Sequence, residues 1–260
     1  MNHPPATGAL AGLKVIEICT TIAGPACTRL LADFGADVIK IEPPEGDPVR
    51  QMGQHVGDVS LYAASILRNK RSIALDLKTA SGRELAFELI ARADILVENN
   101  RPGVLERLGL GYDALSARNP GLVMVRISGY GQTGPYRDVP AHNLACEALA
   151  GTVSVNLGQD GQPAMPHVPV SDFAAASMGL AGVLMALYRR EKTGAGDRLD
   201  ISMHDAALAW LPNVLGPVFV EKRAPVPQHE RTWGGGAFYR IYRTADGRGG
   251  GSRACYPAGR

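Results

Sequence analysis

Asp172 is the residue best placed to do chemistry. It is a single carboxylate standing immediately before Phe173–Tyr188, a run without a charge. That run repeats small and apolar residues (Ala174, Ala175, Ala176, Gly179, Ala181, Gly182) at helical spacing and is followed by Arg189, Arg190 and Lys192. The pattern predicts a buried helix with Ser171 or Asp172 as N-cap and the basic cluster at the opposite, partially negative end. On this pattern alone Asp172 is either a cap or a reacting carboxylate. His142 lies thirty residues earlier; a lone imidazole is more often packed or exposed than catalytic, and His55, His167, His204 and His229 are read that way. Arg68, Lys70, Arg71 and Lys78 surround a predicted third strand, and Arg101 and Arg107 follow a fourth. Six cations near strand ends suit either a solvated face or a polyphosphate ligand. Gly129, Gly131 and Gly134 satisfy the spacing of a dinucleotide fingerprint, but Pro135, Arg137 and Pro140 follow where a helix must open under the pyrophosphate. This predicts a tight turn. No P-loop pattern is present.

The elements that must position these groups alternate. Leu13–Cys19 and Ala36–Glu42 read as strands, joined by a turn (Thr20–Gly24) and a helix from Pro25 to about Phe34, with Gly35 as its left-handed stop. Strand, helix, strand predicts a parallel pair with a right-handed crossover. Lys14 and Glu17 alternate on the first strand as structural or edge residues. An irregular stretch from Pro43 to Ser60 leads to a short helix near Leu61–Leu67. A third strand is predicted at Ser72–Leu77, a helix at Ala80–Ala93 and a fourth strand at Asp94–Glu98. Short helices at Val104–Leu108 and Tyr112–Arg118 precede a fifth strand, Leu122–Ser128. A sixth strand at Arg198–Met203 opens a helix from about His204 to Leu215. The succession predicts an α/β fold with a doubly wound parallel sheet. Pro212, Pro217, Pro225 and Pro227 read as a linker. Ala237–Arg243 looks like the first strand of a hairpin whose partner is missing, because Arg248–Arg260 has no period and little apolar content.

The composition excludes several classes. A net charge of +2 is too small to argue for nucleic acid or an acidic membrane as the main partner. Cys19, Cys27, Cys146 and Cys255 form no C-x-x-C pair and no metal-ligand spacing with the histidines, which fits a reducing cytoplasm. The N-terminus has neither the basic nor the apolar region of a signal peptide. Phe173–Tyr188 is shorter than a comfortable membrane span and is expected to be a buried helix.

Several segments in order carry a family resemblance: LAGLKVIEI, TIAGPACTRLLADFGADVIKIEPP, NKRSIALDLK, ADILVENNRPGVLERLGLGYDAL, ISGYGQTGPY and VSDFAAASMGLAGVLMALYRREKTGAGDRLDISMHDA. Together they resemble the family III CoA-transferases, the carnitine-dehydratase/bile-acid-inducible group that also contains the 2-methylacyl-CoA racemases. The likeness covers roughly residues 10 to 247. It implies an acyl-CoA thioester enzyme with a Rossmann-like large domain (1–216), a linker (217–236), the start of a small domain (237–260) and an interlaced homodimer. Coenzyme A is then a substrate, with no permanently bound cofactor. The resemblance places the catalytic carboxylate on Asp172. It places CoA contacts on Ile22, Ala23, Leu75 to Lys78, Asn99, Asn100, Arg101 and Arg107, which gives the basic cluster the 3′-phospho-ADP of CoA as its ligand. Pro43 stands where several relatives have a basic residue, so that contact is not carried over. His142 and Asp172 match the acid/base pair of the racemases, but Val168 and Asn143 replace an Asn and an Asp that racemases carry there. The expected activity is CoA transfer between an acyl-CoA and a carboxylic acid. The alternatives are a 2-methylacyl-CoA racemase and a non-catalytic CoA-binding remnant. The tail RGGGSRACYPAGR departs from the family pattern and reads as a truncation or frameshift.

Overall fold

A computed structural model describes residues 7–155, 157, 161–224, 241–242 and 253–254. β1 (Lys14–Ile18), α1 (Ala23–Asp33) and β2 (Asp37–Glu42) form the expected parallel unit, with Val15 opposite Val38. A single 3-10 turn, Pro48–Gln51, and a small hairpin, β3 (His55–Val56) with β4 (Val59–Ser60), lead to α2 (Leu61–Ile66). The chain continues through β5 (Lys70–Ala74), α3 (Ala80–Ala91), β6 (Ile95–Glu98), α4 (Val104–Arg107), α5 (Tyr112–Arg118) and β7 (Val123–Ser128). Then come α6 (Asn143–Ala150), α7 (Thr152–Val155), α8 (Val170–Thr193), β8 (Asp197–Ser202), α9 (Met203–Ala209) and α10 (Pro212–Glu221).

Six strands make one parallel sheet in the order β5-β2-β1-β6-β7-β8. Counted along the chain this is 3-2-1-4-5-6, so the strand order reverses between β1 and β6, and the crevice above their carboxyl ends is where such sheets bind ligands. The inner strands β1, β6 and β7 are buried on both faces because both are covered, whereas the edge strands β5 and β8 are partly exposed. Val15, Val97, Val123 and Val125 pack with α1, α6, α8 and α9 on one face; Ile16, Leu96 and Met124 pack with α3, α4 and α5 on the other. The doubly wound α/β reading is therefore correct.

Five details differ from expectation. The third strand starts at Lys70, two residues before the predicted Ser72, and pairs with β2 from Val38↔Lys70 to Glu42↔Ala74. Its charges looked like loop residues, but each is matched: Lys70 by Glu17 and Arg71 by Asp37. The long helix begins at Val170, and Pro169, not Ser171 or Asp172, is its N-cap. Asp172 sits inside the first turn, since the cap is supplied by another helix. That helix is 24 residues long, and by length and composition alone it could cross a membrane. In the fold it lies on the sheet, burying Ala174, Ala175, Ala176, Val183 and Ala186. The helix predicted from His204 to Leu215 is two helices, and of the prolines read as a linker Pro212 opens α10 and Pro217 lies within it, while Pro225 and Pro227 lie outside the described residues. Pro212 is tolerated because the first helical residue has no intrahelical use for its N–H. Finally, the tail does supply a partner strand: β9 (Ile241–Tyr242) pairs antiparallel with β10 (Arg253–Ala254). Backbone pairing does not require the apolar side chains that the tail lacks. The rest of the expected second domain lies outside the described residues.

Candidate active site

The loops after β1 and β6 are stitched together at the point where the strand order reverses. The Thr20 N–H donates to Asn99 Oδ1 at 2.9 Å, and Asn99 Nδ2 donates back to the Thr20 carbonyl at 2.8 Å. Asn100 is tied down too: its Nδ2 donates to the Ile18 carbonyl at 3.2 Å and its N–H to Glu98 Oε2 at 2.8 Å. Thr21 adopts φ +68°, a left-handed conformation that costs a β-branched residue about 1–3 kcal/mol. Its N–H is held by Asp47 Oδ1 at 3.1 Å.

Beneath this turn lies a buried ionic network. Lys40 Nζ is 2.7 Å from Glu17 Oε1, 2.8 Å from Asp47 Oδ2 and 2.6 Å from the Cys19 carbonyl. Lys70 Nζ is 2.8 Å from Glu17 Oε2, which also accepts from Thr28 Oγ1 at 2.5 Å. Burial works against charge on Lys40, but Glu17 and Asp47 outweigh it and hold the ammonium above its usual range. Glu17 is thus the centre of a buried network, not an edge residue, because β1 is an inner strand. Gly24 permits the close approach of turn and strand. A Cβ there would stand 2.3 Å from Cys19 Sγ and 2.7 Å from Cys19 Cβ. Gly24→Ala is expected to cost about 1–3 kcal/mol of stability by overpacking, read as a lower urea midpoint.

Above the turn opens a cavity of about 710 Å³. Its wall includes Ile22, Ala23, Asn99, Asn100, Arg101, Arg107, His142 and Asp172. These eight of the positions expected from the sequence therefore share one cavity. Leu75 and Lys78 do not line it; they follow β5, the edge strand, two strands away from the reversal. Arg68, Lys70 and Arg71 do not line it either; they pair with Asp33, Glu17 and Asp37. Arg101 and Arg107 are exposed and make no ion pair among the described residues, so the cavity rim keeps two cations available for an anion.

Asp172 is 7% exposed. Burial pushes its carboxyl up to about 7; a hydrogen bond from the Ala23 N–H opposes the rise, and the charge of Glu147 adds to it. Tyr62 on α2 has its phenol raised by burial and by Asp172. The Cys146 thiol is pushed up to about 12 by burial, then by Asp172 and Glu147. Ionising Asp172 in the fold therefore costs stability. Protonated Asp172 contributes fully below the unfolded value near 4, and that contribution is lost as pH rises through about 7. Asp172→Asn, which keeps a carbonyl acceptor for the Ala23 N–H, is expected to raise stability at about pH 8 by about 2–4 kcal/mol and to give no gain near pH 4. Denaturant titrations at the two pH values check this.

The glycine loop makes the tight turn predicted for it, with Gly131 at φ +82° and the next helix, α6, opening only at Asn143. The Gln132 N–H is taken by Asp200 at 3.0–3.1 Å, and Gly131 and Thr133 border a separate depression. The N–H that reaches Asp172 belongs to Ala23, at the start of α1. Glu147 was not singled out by sequence reasoning, although it is the sole acid in the mostly small and apolar stretch from Leu144 to Ala150. A lone acid on a predicted buried helix is the signal that could have found it.

Residues 10–249 match the family model for CoA-transferase family III. The chain is 41% identical over 208 residues to the succinyl-CoA–D-citramalate CoA-transferase of Chloroflexus aurantiacus, covering 79% of this chain and 52% of that protein. It is also 41% identical to the acetyl-CoA:oxalate CoA-transferase of Acetobacter aceti (80% and 54% covered) and 40% identical to the formyl-CoA:oxalate CoA-transferase of Streptomyces avermitilis (78% and 49%). The chain spans about half the length of the curated relatives it matches. Among solved structures, a CAIB/BAIF family protein from Brucella suis superposes with a TM-score of 0.81 at 34% identity, covering 85% of this chain and 60% of that one.

Proposed function

The chain belongs to CoA-transferase family III, and we propose that it moves coenzyme A from an acyl-CoA to a carboxylic acid through Asp172. One observation carries this reading: a buried carboxylate, poised near pH 7, faces a cavity at the strand-order reversal with Arg101 and Arg107 unpaired at its rim. The ionised Asp172 attacks the thioester carbonyl, the C–S bond breaks, and a mixed anhydride and CoA thiolate result. The thiolate attacks the aspartyl carbonyl and releases the donor acid as its carboxylate, leaving an aspartyl-CoA thioester. The acceptor carboxylate displaces CoA to form a second anhydride, and the thiolate attacks its acyl carbon to release the new acyl-CoA and Asp172. No net proton is consumed. The Ala23 N–H at the start of α1 is the donor placed to receive developing oxyanion charge. The acceptors in the names of the relatives, citramalate and oxalate, support a short dicarboxylic acid here. The division into a large domain (1–216) and an appended smaller one, and the homodimer, belong to the same proposal.

The arginines at the rim hold the phosphates of CoA. Arg101→Ala and Arg107→Ala are each expected to weaken CoA binding by about three- to tenfold and to flatten its salt dependence. Arg71→Ala, whose partner is Asp37, should leave binding unchanged; calorimetric titration with CoA makes the comparison.

A second reading is α-epimerisation of a branched acyl-CoA. It is supported by His142 and Asp172 sharing the cavity and by a carboxyl poised for proton transfer near neutrality. Incubation in D₂O with a branched acyl-CoA and several dicarboxylic acids separates the two by mass. New acyl-CoA masses that vanish in Asp172→Ala support transfer. One deuterium gained on the original acyl-CoA, and lost in His142→Ala, supports epimerisation.

A further inference from the structure

The first turn of α8 has no cap of its own, because Pro169 offers no side-chain acceptor. Its donors are instead taken by α6. Glu147 Oε1 accepts the Val170 N–H at 2.7 Å and the Ser171 N–H at 3.4 Å. Asn143 Oδ1 accepts the Ser171 N–H at 3.2 Å and the Ser171 hydroxyl at 2.7 Å. Glu147 is completely buried, and its second oxygen, Oε2, has no hydrogen-bond partner among the described residues. A helix N-terminus carries about half a positive charge and normally favours an acid in its first turn. Asp172 is such an acid, yet another carboxylate already holds that end.

We infer that Glu147 is a positioning residue for Asp172: it clamps the start of α8, which carries Asp172 in its first turn, and its own charge occupies the positive end of that helix, where it opposes a second negative charge on Asp172. A cap alone needs only an acceptor, which Gln supplies as well as Glu. A completely buried carboxylate with one oxygen unsatisfied is a costly cap. The cost is accounted for if its charge is used, and the charge of Glu147 acts to raise the proton affinity of Asp172. The other ionisable neighbours do not supply this effect. Cys146 on α6 holds its proton up to about 12, and Tyr62 on α2 is raised as well. Arg29 on α1 lies 6.0 Å from the Phe173 ring and 4.0 Å from Asp33. On α9, His204 pairs with Asp205; on β7, Arg126 is held by Glu98 and Glu106. On β8, Asp197 pairs with Arg189 and Asp200 accepts from Gln132, while Arg198 stacks on Tyr112. His142 lines the same cavity as Asp172.

That Asp172 is what Glu147 positions for reaction rests on the proposed transfer; the electrostatic claim does not. Its test is the ¹³C-carboxyl NMR titration of Asp172, assigned by loss of the signal in Asp172→Asn, in the full chain and in Glu147→Gln. The midpoint is expected to fall by about one unit in Glu147→Gln, making Asp172 about tenfold more ionised at pH values below it. Glu147→Asp, which keeps the charge, should hold the midpoint high. The pair Glu147→Asp and Glu147→Asn repeats the comparison if the Gln variant does not fold. An unmoved midpoint in a folded neutral variant overturns the inference, as does an equal fall in Glu147→Asp. If the midpoint moves while no protein transfers CoA, the electrostatic role stands and the transfer reading fails. If both hold, the acid limb of the pH–rate profile moves down together with the midpoint.

Discussion

Asp172→Ala and Asp172→Asn are expected to reduce CoA exchange by about 10⁴-fold or more, measured as label exchange between an acyl-CoA and a free carboxylic acid. Neither side chain can form the anhydride or hold CoA as a thioester, so both covalent steps are lost while the CoA-binding arginines remain. CoA affinity should therefore change little, which separates loss of chemistry from loss of fold. In the unsubstituted chain the rate should rise with pH through about 7, because only the ionised carboxylate attacks and burial holds its proton up to about that value. His142→Ala is expected to slow exchange by no more than about tenfold, since the transfer cycle consumes no net proton. Equal and complete loss in both variants would instead favour the epimerase reading.

Lys40→Met is expected to destabilise the fold by about 3–5 kcal/mol, a large share of the total of about 5–15 kcal/mol typical of a domain. Lys40 is 1% exposed, and its ammonium neutralises two buried carboxylates, Glu17 and Asp47. Removing it leaves Lys70 to serve Glu17 and nothing in its place beside Asp47. The damage should reach the site, since Asp47 is what holds the Thr21 N–H and hence the turn that brings Ala23 to Asp172. Arg71→Ala removes an ion pair about half exposed on each side and is expected to cost less than about 1 kcal/mol. Urea unfolding of the two variants gives the contrast directly. Similar small losses in both would show that the buried network is not what supports the turn.

The alternation of strand and helix was legible in the sequence because β1, β2, β6 and β7 are short runs rich in Val and Ile with helical segments between them, and the order of the elements allows few topologies. The resemblance named Ile22, Ala23, Asn99, Asn100, Arg101, Arg107, His142 and Asp172, and these residues line one cavity; their roles there are the proposal made above. What stayed hidden depends on contacts between residues far apart in the chain. Lys70 and Arg71 look like loop residues until Glu17, 53 positions away, and Asp37, 34 away, are seen to pair with them. The start of α8 was misplaced because its cap comes from Glu147 and Asn143 on another helix, where local cap preferences say nothing. Asn99 and Asn100, expected to touch the ligand, also spend side-chain donors on stitching the turn, so their role in the cavity is partly to shape it.

The central claim, that Asp172 carries CoA covalently, is tested most directly by intact-protein and peptide mass analysis after incubation with an acyl-CoA and rapid quenching in acid. The expected result is a mass gain of one CoA less one water, confined to the peptide containing Asp172, reversed by an acceptor acid and absent in Asp172→Asn. Transfer of CoA between acids with no such adduct on Asp172 at any quenching time, and undiminished in Asp172→Asn, would contradict it.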